Sequence, residues 1–378
     1  MKNNIITLVG GDFDNNNGKE SGIVKKMMRQ FGFNGNGYIN GGNLDVIKSN
    51  TVMNSISNSR LIIWMPNISN DEDKTYPKKG IGTILICSKV IRPGYTYKDA
   101  IARIFKMHGN AVIAIEKDQS GFSTLTLIDA LGNYWYSGCE INELCSSIMR
   151  FYIFMSQTVR KGTIYDESLK AALNDKPALL DSFVTLNNKL ADHIMTSCGD
   201  RFFGNLSTRC QRLFPTQRTN NYMYVSPRNT DKERLSANDF VLYNPDSSSY
   251  VAENRANKPS VDSPVQGEIY KEFPEINYMI HGHAFITAPN DDIRVLNTDN
   301  YFPCGDMREL DELIKCIGHI IKYDGKNYGV VNLAGHGFIL FSQTFEQMEC
   351  MINSFTDKSF RMNDGESWND CYKEYYKN

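Results

Sequence analysis

A chain of 378 residues, 41% hydrophobic and 22% charged, can bury sizeable cores and is too long for one small domain, so two domains are expected. A formal charge of −2 gives no reason to expect the strongly basic surface that nucleic acid or an anionic membrane would require. Nine scattered cysteines, none in C-x-x-C spacing, exclude a zinc ribbon or a thioredoxin-like motif, and no apolar run approaches a membrane span. The unpatterned cysteines, and an N-terminus (Met1-Lys2-Asn3-Asn4-Ile5) without a signal-peptide core, lead us to expect a cytoplasmic protein.

Residues 5–9 read as a buried strand ending at Gly10-Gly11. Residues 21–31 read as a helix closed by Gly32, with Ile23, Met27, Met28 and Phe31 on one stripe. Apolar strands follow at 61–65, 83–87 and 111–115, with a helix at 97–107 between the last two. His108, beside Gly109-Asn110, reads as a helix end. Residues 125–128 and 134–136 pair as a hairpin across Gly132-Asn133, and 143–155 returns to helix. Apolar strands separated by helices predict an open, mostly parallel sheet, whose ligands sit at the carboxyl ends of its strands. That makes the loop 10–21 a candidate for phosphate or nucleotide binding. However, Gly11 and Gly18 have six residues between them and Glu20 follows Lys19, so it is no P-loop and a solvated turn is the plainer reading.

From residue 178, Leu179, Leu180, Phe183, Leu186, Leu190 and Ile194 form a helical stripe. Gly204-Asn205-Leu206-Ser207-Thr208-Arg209 reads as a turn entering a strand, and 221–225 as another strand before Ser226-Pro227-Arg228. In Lys258-Pro259-Ser260-Val261-Asp262-Ser263-Pro264, Ser263 suits a helix N-cap and Pro264 the first helical position, with Gln266 completing a capping box. Residues 277–286 read as one strand. Side chains alternate along a strand, so His281 and His283 share a face, with Gly282 leaving room behind them. Two such imidazoles are two legs of a metal site, or else a pair of partly buried histidines. Gly335-His336-Gly337 supplies a third histidine in a flexible setting before a helix at 344–355. His193 and His319 read as helix residues without a role, and the aromatic tail (Trp368, Tyr372, Tyr375, Tyr376) as a surface helix.

This order of motifs resembles the class II aldolase/adducin family. There a Gly-Asn-x-Ser-x-Arg segment precedes a Thr-Pro-Ser-Gly loop, a Pro-Ser-Ser-Glu segment, a His-x-His strand and a late His-His-Gly segment. The resemblance covers residues 178–356 and says nothing about 1–160. It implies that His281, His283 and His336 bind a divalent metal, usually zinc, with one position open for catalysis. It implies that Asp262, standing where the family has a glutamate, is the acid/base group. It also implies that Asn205, Ser226, Arg228 and Ser260 lie around the anionic end of the substrate. Three departures accompany the matches. Asp262 is one methylene short of glutamate, Val261 replaces a serine and removes a phosphate donor, and Arg228-Asn229 stand where the family has Ser-Gly. The last exchange hinders backbone approach and gains a guanidinium, a good bidentate partner for phosphate or carboxylate.

The expected fold class is α/β. It comprises an N-terminal open, mostly parallel α/β (Rossmann-like) domain over 1–160, a linker over 161–177, and a class II aldolase-like α/β/α domain over 178–378 around a largely antiparallel sheet. The resemblance implies a zinc-dependent lyase that cleaves a small sugar phosphate through a zinc-stabilised enediolate. The family's metal site also serves epimerases, dehydratases and decarboxylases, and fold analogy does not choose among them. Adducin is a non-catalytic assembly module that has lost the histidine set, whereas this chain keeps all three. A separate nucleotide or sugar activity in the N-terminal domain is a further reading. The expected partners are a small anionic sugar and further copies of the chain, in a homo-oligomer such as a tetramer, with neither nucleic acid nor membrane.

Overall fold

The computed structural model describes residues 6–11, 22–32, 35–38, 59–66, 82–117, 123–175, 178–191, 193–194, 196–198, 201–210, 222–287 and 292–361. The loop 12–21 and the aromatic tail lie outside these residues. The chain divides into two units, the first through Gln157 and the second from Thr158. Among the described residues no helix is long and apolar enough to cross a membrane.

In the first unit β1 (Ile6–Gly11), β2 (Gly35–Tyr38), β3 (Leu61–Pro66), β4 (Ile84–Ile91) and β5 (Ala111–Lys117) run parallel in the order β2-β1-β3-β4-β5. β6 (Ser123–Asp129) and β7 (Tyr134–Gly138) extend the sheet as an antiparallel hairpin. Near-continuous apolar runs suit strands covered on both faces. The helices are α1 (Gly22–Gln30), α2 (Tyr97–Lys106) and α3 (Ile141–Ser156). α2 packs Ala100, Ile101 and Ile104 onto Ile62, Trp64, Leu85 and Val112. The buried side of α1 is Val24 and Met27, while Ile23, Met28 and Phe31 are half-buried. Gly10 sets that seat, because a Cβ there would lie 2.7 Å from Val24 Cγ1, so the helix can approach β1 only at a glycine. The hairpin turn is pinned by Asp129, whose carboxylate accepts from Leu131 N, Asn133 N and Trp135 Nε1.

The second unit holds β8 (Ile164–Tyr165), β9 (Ser197–Cys198), β10 (Arg201–Phe202), β11 (Asn205–Arg209), β12 (Met223–Val225), β13 (Val241–Asn244) and β14 (Ser249–Val251). It continues with β15 (Tyr278–Gly282), β16 (Phe285–Ile286), β17 (Val295–Asn297), β18 (Tyr328–Leu333), β19 (Gly337–Ser342) and β20 (Phe360–Arg361). Nine of these strands form one sheet, β17-β18-β19-β15-β11-β12-β13-β14-β8, antiparallel except at its two edges, where β17–β18 and β14–β8 are parallel. β9–β10 and β16–β20 make two small sheets. The stretch expected as a linker is thus no bare tether, since it supplies β8.

Helices α4 (Leu180–Ala191) and α7 (Phe345–Ser354) cover one face of the large sheet, with Phe183, Leu186, Met348 and Met351 against Leu206, Ile280 and Leu340. Helices α5 (Ser263–Glu272) and α6 (Leu310–Lys322) cover the other, with Ile269, Tyr270, Leu313 and Ile317 against Met279, Ile339 and Phe341. Strand alternation divides β15 and β19 between these two cores.

Arg209 closes the far end of α5. Its Nε donates to Ile276 O at 3.0 Å, and its Nη2 donates to Tyr270 O at 2.5 Å and Phe273 O at 3.0 Å. These include carbonyls that a helix terminus leaves without partners. Burial is the main cause that lowers the Arg209 pKa, so its stability depends on those acceptors. An Arg209→Met variant is expected to lose about 3 kcal/mol, because several buried acceptors lose their donors at once. Urea unfolding measures the loss, and an unchanged midpoint would refute the role.

Candidate metal centre

The site forms where β15 ends and β19 begins. His281 faces Asn205 across the β11–β15 pair and Ile339 across the β15–β19 pair. The single strand expected over 277–286 is broken. β15 stops at Gly282, and β16 resumes at Phe285 in the small sheet with β20. His283 lies one residue beyond the end of β15. His336 sits in the β18–β19 turn, where His336 N donates to Leu333 O at 3.0 Å and Gly335 adopts φ 69°.

Two glycines allow the three rings to converge. A Cβ on Gly282 would lie 2.6 Å from Phe338 Cζ, and one on Gly337 would fall inside the Gly282 carbonyl oxygen. The backbones therefore touch between the histidines and bring the rings together. Ring centroids are 5.2 Å apart for His281–His283, 4.8 Å for His281–His336 and 5.4 Å for His283–His336. One nitrogen from each ring lies within 4.8 Å of the others, and all three residues are buried.

Hydrogen bonding and burial prepare His281 and His283 for a cation. His281 Nδ1 lies 2.9 Å from Phe338 O, so it carries the proton and donates, leaving the lone pair on Nε2. His281 Nε2, His283 Nδ1 and His336 Nδ1 are buried without hydrogen-bond partners. Buried polar atoms ordinarily have partners, so the grouped donor nitrogens of the three rings, with His281 Nε2 and His283 Nδ1 orphaned and His336 Nδ1 turned to Glu309, fit a metal ion. Metal binding needs neutral rings. Burial first, then the neighbouring His336, pushes the His281 pKa down to about 4. Burial, then His281, His336 and Lys232, holds His283 well below its ordinary value. His336 is raised well above its ordinary value, because burial, which alone would lower it, is outweighed by Cys304 and Glu309. Cys304 Sγ lies 3.3 Å from His336 Nε2, and Glu309 Oε1 lies 3.6 Å from Nδ1, an ionic contact rather than a direct hydrogen bond. A carboxylate behind a metal-binding histidine is a common orienting arrangement.

Asp262 stands beside this triangle but outside the histidine set. The expected Ser263 cap is displaced by one residue. Asp262 is the N-cap residue, but with helix-like backbone (φ −85°, ψ −5°) its side chain makes no capping bond. Its Oδ2 instead accepts from Asn205 Nδ2 at 3.1 Å and Ser260 Oγ at 3.2 Å. Gln266 does not complete a capping box. It donates to Asn205 Oδ1 at 2.6 Å, one helical turn beyond Asp262.

The expected anion-binding residues separate into three groups. Asn205 and Ser260 are buried and hold Asp262. Ser226 is fully buried and its Oγ accepts from Leu206 N, so it serves the sheet backbone. Arg228 is exposed, with the Asp262 carboxylate among the charges that act on it. Sequence reasoning missed Gln266, Glu309, Cys304 and Lys232. Buried Lys232 donates to Pro227 O at 3.2 Å and Thr230 O at 2.6 Å, and burial, opposed by Asp231 and Asp262, lowers its pKa to about 8. Gln266 left a sequence signal in its spacing of four from Asp262, and Cys304 in the stretch 301–306, which resembles a loop of the family.

The chain is similar to an L-fuculose 1-phosphate aldolase at 16% identity, over 56% of this chain and 89% of that one, with a TM-score of 0.32. It is similar to L-fuculose-1-phosphate aldolase from Thermus thermophilus at 15% identity, over 52% and 93%, with a TM-score of 0.31. It is also similar to a sugar-phosphate aldolase from Thermotoga maritima at 12% identity, over 55% and 97%, with a TM-score of 0.32. Comparison with curated protein sequences yields no match. Residues 183–354 match the family described as Class II Aldolase and Adducin N-terminal domain, so the C-terminal half of this chain carries a class II aldolase domain.

Proposed function

We propose that the second unit is a metal-dependent lyase of the class II aldolase type that cleaves a small sugar phosphate, with zinc as its metal. The observation that carries this reading is the convergence of three buried imidazoles, one nitrogen of each lying within 4.8 Å of the others. When bound, a divalent ion supplies Lewis-acid stabilisation of the enediolate charge that develops as a carbon–carbon bond breaks. The remaining work belongs to side chains. The Phe338 carbonyl fixes the His281 ring, and Glu309 backs His336. Asn205 and Ser260 hold Oδ2 of Asp262, which leaves Oδ1 to return or remove a proton at the substrate carbon. A homo-oligomeric, cytoplasmic enzyme belongs to the same reading. For the first unit, the strand order β2-β1-β3-β4-β5 supports a Rossmann-like, doubly wound assignment.

Metal analysis of the purified protein, paired with a panel of sugar phosphates assayed for retro-aldol products, tests the proposal. No bound metal, or no cleavage of any member of the panel, would overturn it. An Asp262→Asn variant is expected to keep its metal and lose about a hundredfold in turnover, the contribution of a positioned acid/base group. Undiminished turnover in that variant would remove Asp262 from the chemistry and leave the metal site standing.

A further inference from the structure

Each ring of the histidine triangle needs something to fix its plane, and the three are served differently. A ligating histidine is ordinarily oriented by a hydrogen bond to its other ring nitrogen. His281 has the Phe338 carbonyl, and His336 has Glu309 and Cys304. Among the described residues no such partner meets His283, whose Nδ1 is buried alone. His283 also lies past the last residue of β15, so the ladder that aligns His281 does not extend to it. What His283 does have is the ring of Phe203, with centroids 5.1 Å apart and planes 23° from parallel. The other two histidines meet it nearer edge-on, at 65° and 66°. A near-parallel pair at this separation is an offset stack, which holds the plane of a ring and leaves both of its nitrogens free.

Phe203 is itself held from three directions. Its N donates to Thr196 O at 2.9 Å. The preceding Phe202 donates its N to Asn229 Oδ1 at 3.0 Å, and Asn229 adopts φ 55°, a left-handed conformation that asparagine tolerates better than most side chains. The following Gly204 adopts φ 71° and passes so close to β15 that a Cβ there would lie 2.6 Å from His281 O. The chain is thus pressed against the backbone of one histidine in the same step that lays Phe203 on the ring of another. Phe203 is half-buried and belongs to neither core of the second unit, so its place is explained by His283 rather than by the packing of the sheet.

We propose that Phe203 is a positioning residue for metal binding. Its ring, in place of a hydrogen bond, sets the plane of His283 so that this ligand joins His281 and His336 around one cation. The inference rests on the metal reading above and names what orients the third ligand.

Cobalt(II) titration of the full chain, followed by visible absorption, tests it, because the bands report ligand geometry and their amplitude reports occupancy. Phe203→Ala is expected to weaken cobalt binding about tenfold and to alter the spectrum, the loss usual for a group that orients a metal-bound histidine. Phe203→Tyr keeps the stacked ring and is expected to restore both. Phe203→Leu covers the same face without a ring and is expected to restore neither in full. If Phe203→Ala does not fold, the leucine and tyrosine variants read the same contrast. In metal-free chain carrying nitrogen-15-labelled histidine, Phe203→Ala is expected to move the ring resonances of His283 and leave those of His281 and His336 in place. Wild-type affinity and spectrum in Phe203→Ala or Phe203→Leu, or an unmoved His283 resonance, would overturn the proposal. A wild-type chain that takes up no cobalt would instead overturn the metal reading, and the positioning role with it.

Discussion

Alanine at His283 or His336 is expected to strip the metal and lower turnover by about a thousandfold or more. The triangle leaves no spare ligand, since the set of grouped donor atoms among the described residues is the three histidines alone. With two rings remaining, a ligand is missing that no other grouped donor replaces, and Lewis-acid stabilisation worth several kcal/mol is lost. His283 is the cleaner choice. It lies beyond the end of β15, so its removal leaves every strand pair of β15 in place. Elemental analysis and product formation should fall together, while the urea midpoint of the metal-free protein stays near that of metal-free wild type. Full metal occupancy in His283→Ala would dismantle the assignment.

A single methyl group on Gly337 is expected to cost about 4 kcal/mol or more, an effect usually reserved for gross core damage. The Cβ would fall inside the carbonyl oxygen of Gly282, a backbone atom of the adjoining strand, and close to His283 Cα. A flexible side chain could swing aside, but β15 and β19 are paired from Tyr278 to Gly282 and cannot separate locally without breaking that ladder. The same displacement would drag His283 away from His336, so Gly337→Ala should lose metal affinity as well as stability. Chemical unfolding measures the first effect and metal titration the second. A variant that melts with wild type would show that the two strands are not in contact there.

The helices and strands of both units were largely legible because their apolar periodicity is strong, as at residues 97–107 and 111–115. The three histidines were legible because two stand in one tripeptide and the resemblance to the family supplied the third, although His283 lies beyond the strand that was expected to hold it. What remained hidden depends on contacts between residues far apart in sequence. Gln266 fitted a capping-box pattern, yet its amide is spent on Asn205, 61 positions away. Glu309 carries no local signal, and only the fold sets it and Cys304 against His336. Ile23 and Met28 were placed on the inner stripe of α1, but Gly10 turns Val24 inward instead. The strand expected through 286 stops at 282 because residues 285–286 pair with β20 instead, a long-range choice that alternation cannot foretell.

β11 works as a gauge for α5. Asn205 at one end grips the start of the helix through Asp262 and Gln266, and Arg209 at the other grips its finish through Tyr270 and Phe273. Four strand steps span about 13 Å, and a helix of ten residues runs about 15 Å, so the two clamps fit only one helix length. The reach of the Asp262 carboxylate toward His281 is therefore fixed by counting residues along the chain. One residue added to the helix would release a clamp and, at 3.6 residues per turn, swing its end through about 100°, while one added to β11 would turn Arg209 to the opposite face of the sheet.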